Sequence, residues 1–262
     1  MTSDKPIWLL ITEEAKLSIA EEPLLSEFYQ RAILDHSDLD SSLSYNLANQ
    51  LSGSAIPFTT IEKLILDALK ADSGIGDSAR LDIIANVERD PACDKHLIPL
   101  LYFKGFQAMQ LYRISHWYWC NGRAALALFL QNQVAEIFAV DIHPGARMGS
   151  GIMIDHATGL VVGETAVIGD NVSILHSVTL GGSGRGNGDR HPQVGSGVMI
   201  SAGAKIIGNV KIGNGVKVGA GSLVIESVPP HVTVVGVPAR IVGAPLEGPP
   251  SFDMNQHLDV SG

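Results

Sequence analysis

The sequence predicts an α+β protein in which an N-terminal all-α helical domain precedes a parallel β-helix of hexapeptide repeats. Three observations carry this prediction. Apolar residues recur every six positions from residue 141 to about 243, 21 of the 28 glycines lie between residues 141 and 245, and the preceding segment has helical spacing. A short fixed period is typical of a solenoid, whose units bury their apolar faces against their neighbours.

Residues 1–140 form the predicted helical domain. The segment from Thr59 to Glu62 has capping-box spacing and begins an apolar pattern at helical spacing. Longer helices are predicted over 97–119 and 123–140. Their apolar surplus exceeds what one small bundle buries, so part of it is predicted to face another subunit. A closed monomeric bundle is the alternative.

Residues 141–245 form the predicted β-helix. One apolar register passes in steps of six through Ile154 and Leu160, and a second passes through Val162 and Ile168. Three hexads make one triangular coil, and glycine suits corners that need positive φ. A βαβ array is the alternative, but no amphipathic helix of ordinary length fits between the short strands.

A loop and a tail depart from the repeat. The step from Leu180 to Ile200 is longer than three hexads by two positions, so a glycine-rich loop is predicted over 181–197. A structural solenoid does not require the Asp-Arg-His sequence that ends at His191, which marks the loop as functional. The tail, 246–262, is polar and turn-rich and is predicted to be disordered.

Composition excludes several classes of protein. The net charge is −9, yet residues 141–245 carry 7 Lys and Arg against 6 Asp and Glu. An anionic ligand is therefore acceptable there, while no basic stripe indicates nucleic acid. Two cysteines are too few for a disulfide framework. The apolar segment 124–140 is too short and polar to span a membrane, and no signal peptide is visible, so a cytoplasmic protein is expected.

The repeat contains four histidines with potential for chemistry, His143, His156, His176 and His191. His156 follows Asp155, and Asp141 precedes it by a little under one coil. An aspartate on the adjacent coil could hold one imidazole nitrogen and leave the other free as a base. A polar surface histidine is the plainer interpretation.

Several motifs together resemble the bacterial serine O-acetyltransferase family of hexapeptide-repeat acyltransferases. They are Asp155-His156-Ala157-Thr158-Gly159, Gly163-Glu164-Thr165-Ala166, Gly188-Asp189-Arg190-His191-Pro192, Gly236-Val237-Pro238-Ala239-Arg240 and, in the helical part, Arg89-Asp90-Pro91-Ala92. Members of that family wind left-handed, so the resemblance implies a left-handed β-helix.

The resemblance implies transfer of acetyl from acetyl-CoA, the co-substrate, to the hydroxyl of L-serine, giving O-acetyl-L-serine for cysteine biosynthesis. It implies His156 as general base and Asp141 as the residue that orients it, with direct attack and no acyl-enzyme. Charged residues suit the amino acid: Asp90 and Asp155 for its ammonium, Arg190 and His191 for its carboxylate.

The resemblance also indicates where acetyl-CoA would bind. Backbone N–H groups near Gly182 suit the oxyanion, and small residues leave room for the cofactor, namely Ala202, Gly203, Gly219 and Ala220. No metal is expected. Family members are homotrimers paired into hexamers and are inhibited by L-cysteine. Binding of O-acetylserine sulfhydrylase is doubtful, because relatives end in isoleucine and this chain ends in glycine.

Three other functions compete with this interpretation. A zinc hydratase of the γ-carbonic anhydrase type would use histidines, but none here are closely paired. An acetyltransferase acting on a sugar or antibiotic hydroxyl would not need the Asp90 segment. A non-catalytic scaffold would leave Asp141 and His156 unexplained.

Overall fold

The computed structural model describes residues 6–51, 53, 56–184, 188–245 and 248–257. An N-terminal helical region is followed by a parallel β-helix, as the sequence predicts. The last helix before the β-helix ends at Phe138, and the first strand begins at Val140. The helical region therefore leads directly into the first coil.

The helical region contains eight α-helices among its described residues, and none of the described helices is long and apolar enough to cross a membrane. They are α1 (Ile7–Glu21), α2 (Ser26–Tyr29), α3 (Leu39–Gln50), α4 (Phe58–Ala71), α5 (Ser73–Arg89), α6 (Leu97–Tyr102), α7 (Lys104–Cys120) and α8 (Ala124–Phe138), with a 3₁₀ turn at Pro23–Leu25 and a π-helical turn at Gln30–Leu34.

Two helices differ from the sequence prediction. Helix α4 begins at Phe58 after Pro57 and has no side-chain cap, so the expected capping box does not form. The helix expected over 97–119 is divided at Phe103, whose backbone is extended. The division allows α7 to start beside the first coil of the β-helix, where Gly105 contacts the strand at Ile154.

The β-helix has three faces, each a sheet of parallel strands. Its strands are β1 (Val140–Ile142), β2 (Arg147–Met148), β3 (Met153–Ile154), β4 (Leu160–Val162), β5 (Val167–Ile168), β6 (Ser173–Ile174), β7 (Thr179–Gly181), β8 (Gln193–Val194), β9 (Met199–Ile200), β10 (Lys205–Ile207), β11 (Lys211–Ile212), β12 (Lys217–Val218), β13 (Leu223–Val224), β14 (Thr233–Gly236) and the antiparallel β15 (Ala239–Gly243). The sheet orders are β1-β4-β7-β10-β13, β2-β5-β8-β11 and β3-β6-β9-β12-β14-β15.

Strand register gives the length of each coil. Val162 pairs with Leu180 and Ile200 with Val218, and each of these coils is three hexads long. Ile154 pairs with Ile174, so that coil exceeds three hexads by two positions, which lie between Ile154 and β4. The coil from Ile174 to its partner Ile200 exceeds three hexads by eight positions, which lie between β7 and β8.

The loop is therefore shorter than the predicted 181–197. Strand β8 falls inside that range, because Val194 pairs with Ile168 on one side and Ile212 on the other. The step from Leu180 to Ile200 thus consists of two hexads and the eight-position insertion. The sequence pattern alone indicated three hexads and a two-position insertion for the same step. The described part of the loop lies between β7 and β8, and residues 185–187 lie outside the described residues.

A buried ion pair joins the helical region to the first coil. Asp82 on α5 is fully buried and accepts two hydrogen bonds from the Arg113 guanidinium on α7, at 3.2 and 2.7 Å. Its other oxygen accepts the Ile152 backbone N–H at 2.8 Å. The two domains are thus fixed to each other by a satisfied buried carboxylate.

The tail differs from the disorder expected of 246–262. A short helix, α9 (Pro250–Asp253), packs against the β-helix, and Ser251 is buried. The Ser251 carbonyl accepts a hydrogen bond from Ser173 Oγ at 2.8 Å, and the Phe252 ring lies under the Arg89 guanidinium. These partners lie far away in the sequence, so local composition does not reveal them. Residues 246, 247 and 258–262 lie outside the described residues.

Candidate functional site

The turn between β3 and β4 projects His156 away from the β-helix. The two additional positions of the first coil fall in this turn, and His156 and Ala157 have left-handed backbones with φ of 56° and 60°. Such conformations are rare for non-glycine residues and persist only where the surroundings hold them. The His156 side chain is 74% exposed.

A cleft of about 400 Å³ opens beside this turn. Asp90, at the end of α5, lines it together with Asp155 and His156. Gly105 forms part of the wall, and a Cβ at that position would lie 2.1 Å from the Ile154 carbonyl oxygen. Glycine is therefore what lets α7 approach the β-helix closely enough to form the cleft.

The carboxylate–histidine cluster consists of Asp90, Asp155, His156 and His176. Burial is the largest influence on Asp155 and raises the pKa of its carboxyl, and the Asp90 charge adds to this rise. His156 and His176 act in the opposite direction. His156 Nε2 lies 3.7 Å from Asp155 Oδ1. The cluster presents acidic oxygens beside an accessible imidazole.

The arginine–histidine cluster is a second group, consisting of His143, Glu164, Thr165, Arg190 and His191. Arg190 forms an ion pair with Glu164, whose pKa is lowered chiefly by that hydrogen bond. The Arg190 backbone N–H donates to Thr165 Oγ1 at 3.0 Å. These contacts fix the end of the loop that carries Arg190 to the turn that follows β4.

His191 has a defined tautomer in this cluster. The Thr165 backbone N–H donates to His191 Nδ1 at 3.2 Å, so Nδ1 carries a lone pair and the neutral ring is protonated at Nε2. Burial and the neighbouring Arg190 lower the pKa of His191. A Cβ at Gly163 would lie 2.0 Å from the His191 ring, so glycine provides the space that the ring occupies.

His143 borders the same cluster. Burial lowers its pKa, and the charges of Glu164 and Asp141 partly offset that effect. Its Nδ1 accepts the Gly145 N–H at 3.0 Å, and its ring lies edge to face with Trp119 at a centroid distance of 5.1 Å. Helix α7 thus supports the arginine–histidine cluster through the Trp119 ring.

The two clusters lie at opposite edges of one sheet. The carboxylate–histidine residues of the β-helix precede β4 and β7, and Asp90 joins them from the end of α5. Residues of the arginine–histidine cluster follow β1 and β4 or precede β8. Asp141 lies between them on β1, in register with Val161, and accepts a hydrogen bond from Gln131 Nε2 at 2.7 Å. Among the described residues, Asp141 makes no hydrogen bond or ion pair with His156.

A column of small residues continues along the β-helix from His176. Strand register places Ala202 and Gly203 at the same corner one coil further on, and Gly219 and Ala220 one coil beyond those. The Gly203 N–H donates to the His176 carbonyl at 2.9 Å. Gly182, in contrast, lies beside His191, where an added Cβ would be 3.1 Å from the ring. The expected cofactor residues are therefore divided between two places.

Comparison with known proteins decides the family. Residues 7–111 match the description "Serine acetyltransferase, N-terminal", and residues 191–226 match "Bacterial transferase hexapeptide (six repeats)". A serine acetyltransferase of Salmonella typhimurium is 56% identical over 253 residues, which are 97% of this chain and 93% of the relative. The chain belongs to the serine acetyltransferase family. It is therefore an acyltransferase, and its repeats form a left-handed β-helix.

Solved structures of serine acetyltransferases agree with this assignment. One from Vibrio cholerae has a TM-score of 0.95 and 51% identity, covering 97% of this chain and 98% of its own. One from Neisseria gonorrhoeae in complex with serine has a TM-score of 0.88 and 50% identity, covering 91% and 98%. One from Brucella abortus in complex with coenzyme A has a TM-score of 0.90 and 46% identity, covering 92% and 96%.

Neither cysteine of this serine acetyltransferase family member belongs to either cluster. Cys93 is buried, and burial raises the pKa of its thiol to about 12. Cys120 is exposed at the end of α7. Within the described residues, no three His, Cys, Asp or Glu side chains converge on a point where a metal ion could bind.

Several residues at the site were not assigned by sequence reasoning. Glu164 and Thr165 lie in a motif that marks the family, yet their contacts with Arg190 and His191 span 25 or 26 residues. The signal that could have placed them is the length of the coil. One coil of three hexads, lengthened by the insertion before β8, brings position 165 beside position 191.

Proposed function

We propose that this chain transfers the acetyl group of acetyl-CoA to the hydroxyl of L-serine, giving O-acetyl-L-serine and CoA, the first step of cysteine biosynthesis. The observation that supports it best is the presence of two clusters of opposite character at the edges of one sheet. L-Serine carries an ammonium and a carboxylate, and its binding site needs groups of both signs.

Each cluster suits one end of the amino acid. Asp90 and Asp155 are carboxylates in the cleft beside His156 and suit the ammonium. Arg190 and His191 are donors in the other cluster and suit the carboxylate. The serine complex of the relative from Neisseria gonorrhoeae supports serine as the acceptor.

The reaction that we propose is a direct transfer. His156 takes the proton of the serine hydroxyl while that oxygen forms a bond to the thioester carbonyl carbon. The C–S bond then breaks, and the CoA thiolate accepts the proton from His156. The backbone N–H of Gly182 is proposed to stabilise the oxyanion. Asp141 orients His156 in this proposal through its Oδ2, since Oδ1 accepts from Gln131, and this requires the two side chains to approach each other.

Acetyl-CoA is proposed to lie along the column of small residues. Ala202, Gly203, Gly219 and Ala220 leave a smooth path that leads toward His176 and His156. The coenzyme A complex of the relative from Brucella abortus supports this co-substrate. No metal is part of the proposal.

A second copy of the chain is proposed to complete each site. The two clusters lie at opposite edges of a sheet, so one serine cannot bridge them within one chain. Exposed apolar residues occur on α8 and on the outer face of the same sheet: Leu128, Ile137 and Val161. A homotrimer would place one chain's carboxylate–histidine cluster against the next chain's arginine–histidine cluster, and trimers would pair into a hexamer.

L-Cysteine is proposed to inhibit the enzyme at the serine site, since it carries the same ammonium and carboxylate. A serine acetyltransferase structure in complex with cysteine supports this proposal. Binding of O-acetylserine sulfhydrylase depends on residues 258–262, which lie outside the described residues. A cytoplasmic location stays a prediction.

Thiol release from acetyl-CoA tests the proposal. The purified wild type is expected to release thiol only with L-serine, and His156→Ala is expected to lower kcat by about 10²–10⁴-fold, the usual contribution of a general base. His231→Ala, at an exposed turn between β13 and β14 and outside both clusters, is the control. Absence of serine-dependent release from folded wild type would refute the function.

A further inference from the structure

His176 lies beside His156, and the proposed reaction gives it no role. Strand register places it at the same corner of the next coil, because Ile154 pairs with Ile174 and the Asp155 N–H donates to the Ile174 carbonyl at 2.9 Å. His176 therefore stands between His156 and the column of small residues.

Few contacts hold the His156 ring in this structure, because the Asp141 carboxylate is bonded to Gln131 and makes no hydrogen bond with His156 among the described residues. Its side chain is 74% exposed, and its distance of 3.7 Å from Asp155 is too long for a hydrogen bond. The His176 ring contacts it edge to face, with centroids 5.8 Å apart and planes at 69°. Aromatic rings favour this arrangement because a positive edge meets a negative face.

The backbone of His176 is hydrogen-bonded to the next coil, and part of its ring is buried. Its backbone carbonyl accepts the Gly203 N–H, and its Nδ1 is buried without a hydrogen-bond partner among the described residues. A buried, unpaired N–H costs free energy, so the ring proton is expected at Nε2, with the Nδ1 lone pair facing inward. His176 thus places a partly buried ring against the exposed ring of His156.

We propose that His176 is a positioning residue, whose ring sets the orientation of the His156 imidazole for proton abstraction from serine. This inference rests on the proposed function. Effective catalysis needs the base held near the attacking atom, and a displacement of about 1 Å can lower the rate by about 10²-fold. The role depends on an aromatic face, not on a nitrogen of His176.

Two substitutions separate these properties. His176→Phe keeps a ring that can contact His156, whereas His176→Leu keeps apolar volume without an aromatic face. We expect His176→Phe to stay within about threefold of the wild-type kcat and His176→Leu to fall by about 10–100-fold. The KM values for serine and acetyl-CoA should change less than about threefold in both, because the binding groups are untouched.

The controls make the result decisive. His231→Leu removes another corner histidine and should leave kcat unchanged, and thermal unfolding establishes that each variant is folded at the assay temperature. If His176→Leu does not fold, His176→Asn takes its place. If the wild type is active, two results would overturn this inference and leave the proposed function standing. One is a kcat of His176→Leu equal to that of the wild type, and the other is an equal loss of kcat in His176→Phe and His176→Leu. An inactive wild type overturns the proposed function and this inference with it.

Discussion

The guanidinium of Arg89 stacks on the ring of Phe252, with its central carbon 4.5 Å from the ring centroid. Arg89 is buried, and burial lowers its pKa to about 10. It donates to the Gly151 carbonyl at 2.9 Å and to Asn171 Oδ1 at 3.1 Å. The C-terminal segment thereby covers the residue that immediately precedes Asp90.

Substitution of these partners should destabilise the fold unequally. Arg89→Met leaves buried acceptors unpaired and is expected to lower the free energy of unfolding by about 2–3 kcal/mol. Phe252→Leu removes only the stacking of a partly exposed ring and should cost about 0.5–1 kcal/mol. Urea unfolding of the two variants measures both. Equal losses would show that the arginine contributes through Phe252 alone.

Removal of one partner of the buried Asp82–Arg113 pair should destabilise the fold more than replacement of both partners by apolar residues. Asp82→Leu alone leaves a buried guanidinium unpaired and is expected to lose about 3–5 kcal/mol. The double variant Asp82→Leu with Arg113→Met removes both charges and should lose less than the single variant. A double-mutant cycle in urea checks this order, and the reverse order would contradict it.

The close approach of Gly163 to His191 predicts a selective defect. Gly163→Ala would place a Cβ 2.0 Å from the His191 ring, so the ring must move. We expect the KM for serine to rise by about tenfold or more, since the carboxylate end of the site is displaced, while the KM for acetyl-CoA changes little. Gly182→Ala, whose Cβ would lie 3.1 Å from the same ring, should have a smaller effect. Equal changes in both KM values would argue for general misfolding.

Acidification should destabilise the folded chain through His143 and His191. Burial lowers both pKa values in the folded state, whereas the unfolded chain binds protons as the pH falls through about 6.5. The unfolded state then holds more protons, so the free energy of unfolding falls with pH below that point. Urea midpoints at pH 7.5 and 5.5 should differ, and the double variant His143→Gln with His191→Gln should show a smaller difference. An unchanged difference would contradict the assignment.

Sites shared between chains predict recovery of activity in mixtures. His156→Ala and His191→Ala chains are each expected to be nearly inactive alone. Co-expressed in equal amounts, they should recover about a quarter of the wild-type rate. A shared site is intact only where one chain keeps His156 and its neighbour keeps His191, and random assembly produces this combination at about a quarter of the sites. The rate of the mixture, compared with the two single variants, measures this. No recovery would place the whole site within one chain.

The repeat and the helical region before it could be predicted because their signals are local. Ile154, Ile168 and Val218 keep the six-residue period, and each is buried in the β-helix. His156 could be singled out because it follows Asp155 in a family motif. These features depend on neighbouring residues or on a period that repeats along the chain.

The remaining features depend on contacts that are distant in the sequence. Thr165 contacts His191, although the loop separates them in the sequence. Arg89 contacts Phe252, although the strands of the β-helix lie between them in the sequence. The prediction of a capping box at Thr59 was wrong because α4 begins at Phe58, which places Thr59 inside the helix. No local pattern shows that the tail has a partner, so composition indicated disorder where α9 packs.

The C-terminal segment contacts three successive coils. Ser173, Met199 and Lys217 lie on neighbouring strands of one sheet, and each bonds a residue between 251 and 257. A coil displaced by one hexad would present different side chains at one of these three points. The segment can therefore make all three contacts only on a correctly wound β-helix, so these contacts stabilise the native register of the coils.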